Sequence, residues 1–115
     1  MESIAEQIDL TSDKDKKKAE LSKQFRDNEI NDVKLILEQA FGRRLYWRIM
    51  DRARAFKASY VPNDPYGTAF NEGVRSIGNW LMAEMLEAKP EAFTQLQREN
   101  RSAIIAAQKQ IDKAE

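Results

Sequence analysis

The segment "SYVPNDPYGT", residues 59–68, holds two of the chain's three prolines and one of its four glycines. Proline fixes φ, removes a backbone donor and restricts the residue before it, so this stretch is a loop whatever surrounds it. It is the only segment of its kind in 115 residues. On both sides of it apolar residues return at intervals of three and four, the period of one buried helix face. Neither the period-two alternation of a strand nor a hairpin turn occurs. The expected fold is all-α: a small bundle of four or five helices in one domain, with extended helical N- and C-terminal segments.

Local signals place the helices. "SDKDKKKAELSKQF" reads as a helix start, with Ser12 as cap, Asp15 in the first turn and Leu21 and Phe25 on one thin apolar face. "RDNEIN" reads as a kink or break, with Asn31 or Asp32 capping a new helix that carries Val33, Leu37 and Ala40 or Phe41. Gly42 reads as the stop of that helix. In "GRRLYWRIMDRARAF" Leu45, Ile49, Ala53 and Phe56 recur at four, four and three, an expected core face widened by Tyr46 and Met50.

After the loop, "TAFNEGVRSIGNWLMAEMLEAK" is the clearest helix. Thr68 is its expected cap, and Phe70, Val74 (or Gly73), Ile77, Leu81 and Met85 form its expected inner face. Gly73 and Gly78 each cost a helix about 1 kcal/mol relative to alanine, which implies close approach of a backbone or a ring; Trp47 and Trp80 are the candidate rings. Pro90 suits the first turn of a last helix bearing Phe93, Leu96, Ile104 and Ile111. The organisation read from this pattern is an N-terminal arm (1–30), a helical core (31–100) and a C-terminal helical extension (101–115). Both ends, with Ile104 and Ile105, read as partner-binding surface.

Chemistry is bounded by what is missing. The chain has no cysteine and no histidine, which removes disulfides, His/Cys zinc sites and Ser-His or Cys-His nucleophile pairs. Glu84, Glu87 and Glu91 make a weak candidate for a hard-cation site, because Pro90 interrupts their face. Glu72 and Arg75, three apart, read as an intrahelical ion pair rather than an acid/base couple. Lys14, Lys16, Lys17 and Lys18 alternate with acids and read as a solvated surface. The expectation is a non-enzymatic protein without metal or cofactor. With no membrane-length apolar run and no signal-peptide core, synthesis in the cytoplasm is expected.

One segment departs from electrical balance. Nineteen basic and nineteen acidic residues cancel over the chain. Residues 43–57 nevertheless carry Arg43, Arg44, Arg48, Arg52, Arg54 and Lys57 against Asp51 alone, six positive charges against one negative. Arg44, Arg48 and Arg52, spaced by four, form a ridge suited to carboxylates of a protein partner or to successive phosphates. No cluster of base-reading Asn or Gln accompanies it. Protein pairing is the favoured reading and nonspecific DNA contact the alternative.

The elements "GRRLYWRIMDRARAF", "AFNEGVRSIGNWLMAEML" and "KPEAFTQLQREN" together resemble a family of small bacteriophage proteins, typified by one from a Bordetella podovirus and usually encoded near the portal gene. The positions that carry the resemblance are Gly42-Arg43, Trp47, Phe56, Asn71-Glu72-Gly73, Arg75 and Pro90-Glu91, within roughly residues 33–100. Val74 departs from the pattern, since the family often has an arginine or similar residue before the second family arginine, and implies a less basic surface there. The resemblance implies a virion protein of the portal, head–tail or ejection apparatus. Its expected partners are portal or tail proteins and further copies of itself, as a homo-oligomer or ring, with no membrane. An accessory factor for genome packaging or ejection, gripping phosphates with the arginine ridge, is the alternative.

Overall fold

The structure, a computed structural model, describes the backbone of residues 4–114 and the side chains of residues 13–114. Among the described residues there are four helices and no strand: α1 (Ile4–Glu38), α2 (Ala40–Arg52), α3 (Pro65–Ala88) and α4 (Ala92–Lys113). The side chains of Ile4, Ile8 and Leu10, expected partner contacts of the arm, lie outside the described residues.

The break expected in "RDNEIN" does not occur, and α1 runs unbroken through it. The stretch contains neither proline nor glycine, and Asn or Asp inside a helix costs less than about 0.7 kcal/mol each. Arg26, Ile30, Val33 and Leu37, spaced four, three and four, are its partly or fully buried positions. Packing along that line outweighs the propensity cost. Ser12 is likewise inside α1 and starts nothing.

The chain turns one residue beyond α1, at Gln39, whose backbone is extended (φ −102°, ψ 136°). Gly42 is therefore not a helix stop: it lies in the first turn of α2, with no left-handed conformation. Its role is close approach. A Cβ at position 42 would run into the carbonyl of Ile36, so only glycine lets α2 cross the end of α1 this tightly. The neighbouring Arg43 donates to the Leu37 carbonyl at 3.0 Å, satisfying a last-turn acceptor that α1 cannot satisfy itself.

The Pro/Gly segment forms the expected loop. Val61, Pro62, Asn63 and Asp64 make a turn closed by Asp64 N–H to Val61 O at 3.2 Å, with Asn63 in the left-handed region (φ 61°). Asp64, not Thr68, caps α3: its carboxylate accepts from Gly67 N–H at 2.9 Å, and Pro65 fills the first turn where no donor is needed. Thr68 instead accepts from Val61 N–H at 2.8 Å and donates to Val61 O at 3.3 Å, tying loop to helix.

The core is small and lies where the four helices cross: Leu37, Tyr46, Met50, Met85, Ala92 and Leu96. Its α2 contribution is a different face from the one expected. Leu45 and Ile49 are 47% and 43% exposed, while Arg43, Tyr46, Met50 and Ala53 point inward. On α3, Met85 is buried but Phe70 and Ile77 face outward. Gly78 does receive a close neighbour, the backbone of the α2–α3 loop rather than a ring: a Cβ there would sit 2.8 Å from Ala53 O. Around Gly73 nothing lies within 4 Å, and Trp80 is exposed, so neither of these two takes part in packing.

The molecule is a thin plate, 88 × 42 × 15 Å, with a radius of gyration of 22.3 Å. A compact domain of this length has roughly 13 Å. Residues 101–113 of α4 and residues 13–23 of α1 are exposed throughout and project from the core.

Candidate functional site

The basic helix α2 sorts its charges into three environments. Arg43 is buried, and its Nε and Nη2 bind the Glu99 carboxylate of α4 at 2.9–3.0 Å while Nη1 holds the Leu37 carbonyl. One guanidinium thus joins α1, α2 and α4, so Arg43 is a structural link and not a partner-facing residue as expected. The hydrogen bonds from Arg43 hold the Glu99 carboxyl below its usual range, against a smaller opposing effect of desolvation.

Arg54 lies past the helix in a left-handed turn conformation (φ 60°), and its Nη2 donates to Ala58 O at 3.0 Å. That contact shapes the loop. Arg44, Arg48, Arg52 and Lys57 remain on the surface and form no ion pair with any described residue. Arg48, Arg52 and Lys57 edge an open groove of about 1110 Å³ whose apolar lining includes Leu45, Ile49, Phe70 and Val74. Arg44 and Arg48 edge a smaller one, about 420 Å³, against Leu96 and Ala103 of α4. Trp47 lines both grooves and stacks on Phe56 with ring centroids 5.2 Å apart; Phe56 in turn meets Phe93 at 6.2 Å.

A second polar centre joins α1 to α3. Arg26 donates to both carboxylate oxygens of buried Glu84 at 2.9 Å and also pairs with Glu87. These two partners hold its guanidinium still more firmly protonated than usual. Glu84 and Glu87 are therefore ion-paired side chains, and among the described residues no group of three acids is arranged to hold a metal. Nearby, Tyr46 donates its hydroxyl to the Leu81 carbonyl. Burial, followed by the negative charge of Glu84, pushes the phenol up to about 12. Nothing in the sequence pattern singled out Arg26, which lies 58 residues from Glu84 in a polar stretch.

The "NEG" tripeptide anchors the loop. Asn71 donates to the Ser59 carbonyl at 3.2 Å, and the buried Ser59 hydroxyl donates to Glu72. Arg75 lies 3.6 Å from Glu72 one turn on. Glu72 and Arg75 thus belong to a loop latch as well as to an intrahelical pair.

A family model described as Bbp19-like phage protein matches residues 24–98, 75 of the 115. The chain belongs to the Bbp19-like phage protein family. No curated protein and no solved structure is significantly similar to it. The Bbp19-like segment takes in Arg26, Glu84, Arg43, the loop latch and every core residue. It excludes the two projecting helical ends. Among the described residues no helix is long and apolar enough to cross a membrane.

Proposed function

We propose that this Bbp19-like protein is a non-enzymatic structural component of the phage particle, present in several copies at the portal, head–tail or ejection apparatus and acting through protein–protein contacts. The supporting observation is the distribution of apolar surface. Among the described residues seven apolar side chains are buried, while seventeen large ones are exposed. A small monomer that left this much apolar surface in water would be a poor design, whereas a subunit of an assembly covers it.

The test is a protein inventory of purified particles together with co-purification of the portal and tail proteins. Expected is a fixed, multi-copy stoichiometry in the virion and a stable complex with one of those proteins. Absence from particles, with no virion protein bound, rejects the reading.

A second reading has its own support: Arg44, Arg48 and Arg52 are exposed and pair with no described carboxylate. An accessory factor for packaging or ejection uses them on DNA phosphates. Such binding weakens steeply between low and moderate salt and is lost when the three become glutamine. Retention of binding in the triple variant rejects it.

A further inference from the structure

Two stripes of like charge, opposite in sign, recur in this chain. Residues 1–13 carry Glu2, Glu6, Asp9 and Asp13 and no lysine or arginine. The spacing of these acids, four, three and four, is that of one line along a helix, and the residues from Ile4 onward belong to α1. Neither Glu6 nor Asp9 has a base three or four residues away in either direction; each has acids there instead. Like charges at that spacing destabilise a helix.

Arg44, Arg48 and Arg52 on α2 repeat the arrangement with the sign reversed. They are exposed, stand four apart and pair with no described carboxylate. Arg48 and Arg52, with Lys57, edge the 1110 Å³ groove, where Asp51 is the only acid among the described residues and forms no ion pair with them. Each stripe repels itself and supplies the charge that the other lacks.

The two cannot meet within one molecule. α1 is uninterrupted from Ile4 to Glu38, and residues 13–23 are exposed throughout. Asp9 stands 17 residues, about 26 Å, along this helix from Arg26, the residue that ties α1 to Glu84 of α3. A continuous helix leaving the body does not turn back to α2.

We infer that residues 4–13 of α1 dock on the arginine ridge of α2 in a second copy, carboxylates on guanidiniums, in a head-to-tail contact. The inference rests on the multi-copy part of the proposed function and names the interface. The lengths match: Glu6 to Asp13 spans seven residues and Arg44 to Arg52 eight, about 10 and 12 Å along their helices. Apolar residues accompany both stripes, Ile4, Ile8 and Leu10 in the one segment and the half-exposed Leu45 and Ile49 in the other. The other projecting segments have the wrong sign. Residues 14–23 carry Lys14, Lys16, Lys17, Lys18 and Lys23 against Asp15 and Glu20, and residues 101–113 carry Arg101, Lys109 and Lys113 against Asp112. Each copy gives one acidic segment and receives another, a heterologous contact of the kind that builds rings or filaments.

Charge reversal in the full-length protein, read by light scattering across concentration and salt, is the test. The parent protein is expected to self-associate at low salt and to dissociate as salt rises. Glu6→Lys with Asp9→Lys and Asp13→Lys is expected to weaken association about tenfold or more, and so is Arg44→Glu with Arg48→Glu and Arg52→Glu. Mixing the two variant proteins, or combining all six substitutions in one chain, is expected to restore it. A protein that is monomeric at every concentration overturns the inference, while its presence in purified particles still upholds a structural role. Self-association that neither reversal weakens overturns this interface and leaves the multi-copy reading standing. A loss that neither mixing nor combination restores overturns the pairing of these two stripes. Loss of DNA binding in the arginine variant, with association unchanged, assigns the ridge to phosphates and also overturns the inference.

Discussion

Arg26 on α1 holds both carboxylate oxygens of Glu84 on α3 at 2.9 Å, across 58 residues of sequence. Glu84 is one of only three buried polar or charged residues among those described, so its charge depends on that single guanidinium more than on solvent. Arg26→Ala is expected to lower the melting temperature by stranding a buried carboxylate. Adding Glu84→Gln to it restores part of the loss, because the amide carries no charge to strand. Thermal melts of the two single variants and the double variant give the coupling. Strict additivity would show that the pair contributes nothing.

Gly78 and Gly73 lie five residues apart on α3 and respond oppositely to alanine. At Gly78 a Cβ meets Ala53 O at 2.8 Å and Ala55 Cβ at 2.9 Å, both part of the loop packed on the helix. The loop has to move, and Gly78→Ala is expected to destabilise by about 1–3 kcal/mol despite its better helix propensity. At Gly73 the space is open, so Gly73→Ala gains helix propensity of about 1 kcal/mol in the protomer. Urea denaturation of the two variants at low protein concentration separates the two effects. Equal shifts from both substitutions would contradict the packing at Gly78.

The helical content was legible in the sequence because apolar residues at three and four spacing admit no strand, and the loop was legible from its prolines. The inward face of α2 was not. Residues 45, 49, 53 and 56 have the helical period, but so do 43, 46, 50 and 53, and the second set contains an arginine. What brings Arg43 inside is Glu99 on α4 and the free carbonyl of Leu37 at the end of α1, neither of which periodicity reveals. The same ambiguity applies to α3, where 66, 70, 77 and 80 are as periodic as the residues that do pack. Where a helix is apolar on two faces, periodicity alone does not say which one its own chain covers. The interior of α1 departs from expectation for a different reason: Asn and Asp signal caps only where the chain leaves the helix, and here α1 continues through them. Arg44, Arg48 and Arg52 lie on the exposed side of α2, but Leu45 and Ile49 lie there too, and spacing alone distinguishes neither set from the inward one.

Tyr46 sets an alkaline limit on the fold. Its phenol, ordinarily near 10, is pushed up to about 12 by burial and by Glu84. Above pH 10 the unfolded chain releases this proton while the folded chain keeps it, so folding stability is complete below that pH and falls as pH rises towards 12. Tyr46→Phe is expected to lose about 1 kcal/mol at neutral pH with the bond to Leu81 O, and to flatten the alkaline decline. The difference in tyrosinate absorbance between the two proteins isolates this residue from Tyr60 and Tyr66. A wild-type titration with no delayed component would show that the hydroxyl is not held as described.

Glu99 sets the corresponding acid limb, with the opposite sign. Arg43 holds its carboxyl below the ordinary value of 4.5, so the stabilisation is present above that pH and is lost as pH falls through the lower folded value. The effect is modest, because Glu99 is partly solvated, but its consequence is not confined to one side chain. Protonating Glu99 removes the partner of a buried arginine that also closes the end of α1. Glu99→Gln is expected to lower stability at neutral pH and to shallow the decline below pH 4.5 relative to the parent protein. Amide exchange at the end of α1 is expected to quicken in the same variant, since Arg43 loses the carboxylate that holds its guanidinium against Leu37 O. Unchanged exchange there, with a parallel acid limb, would separate the Glu99 pair from the α1–α2 junction and leave Arg43 anchored by the carbonyl alone.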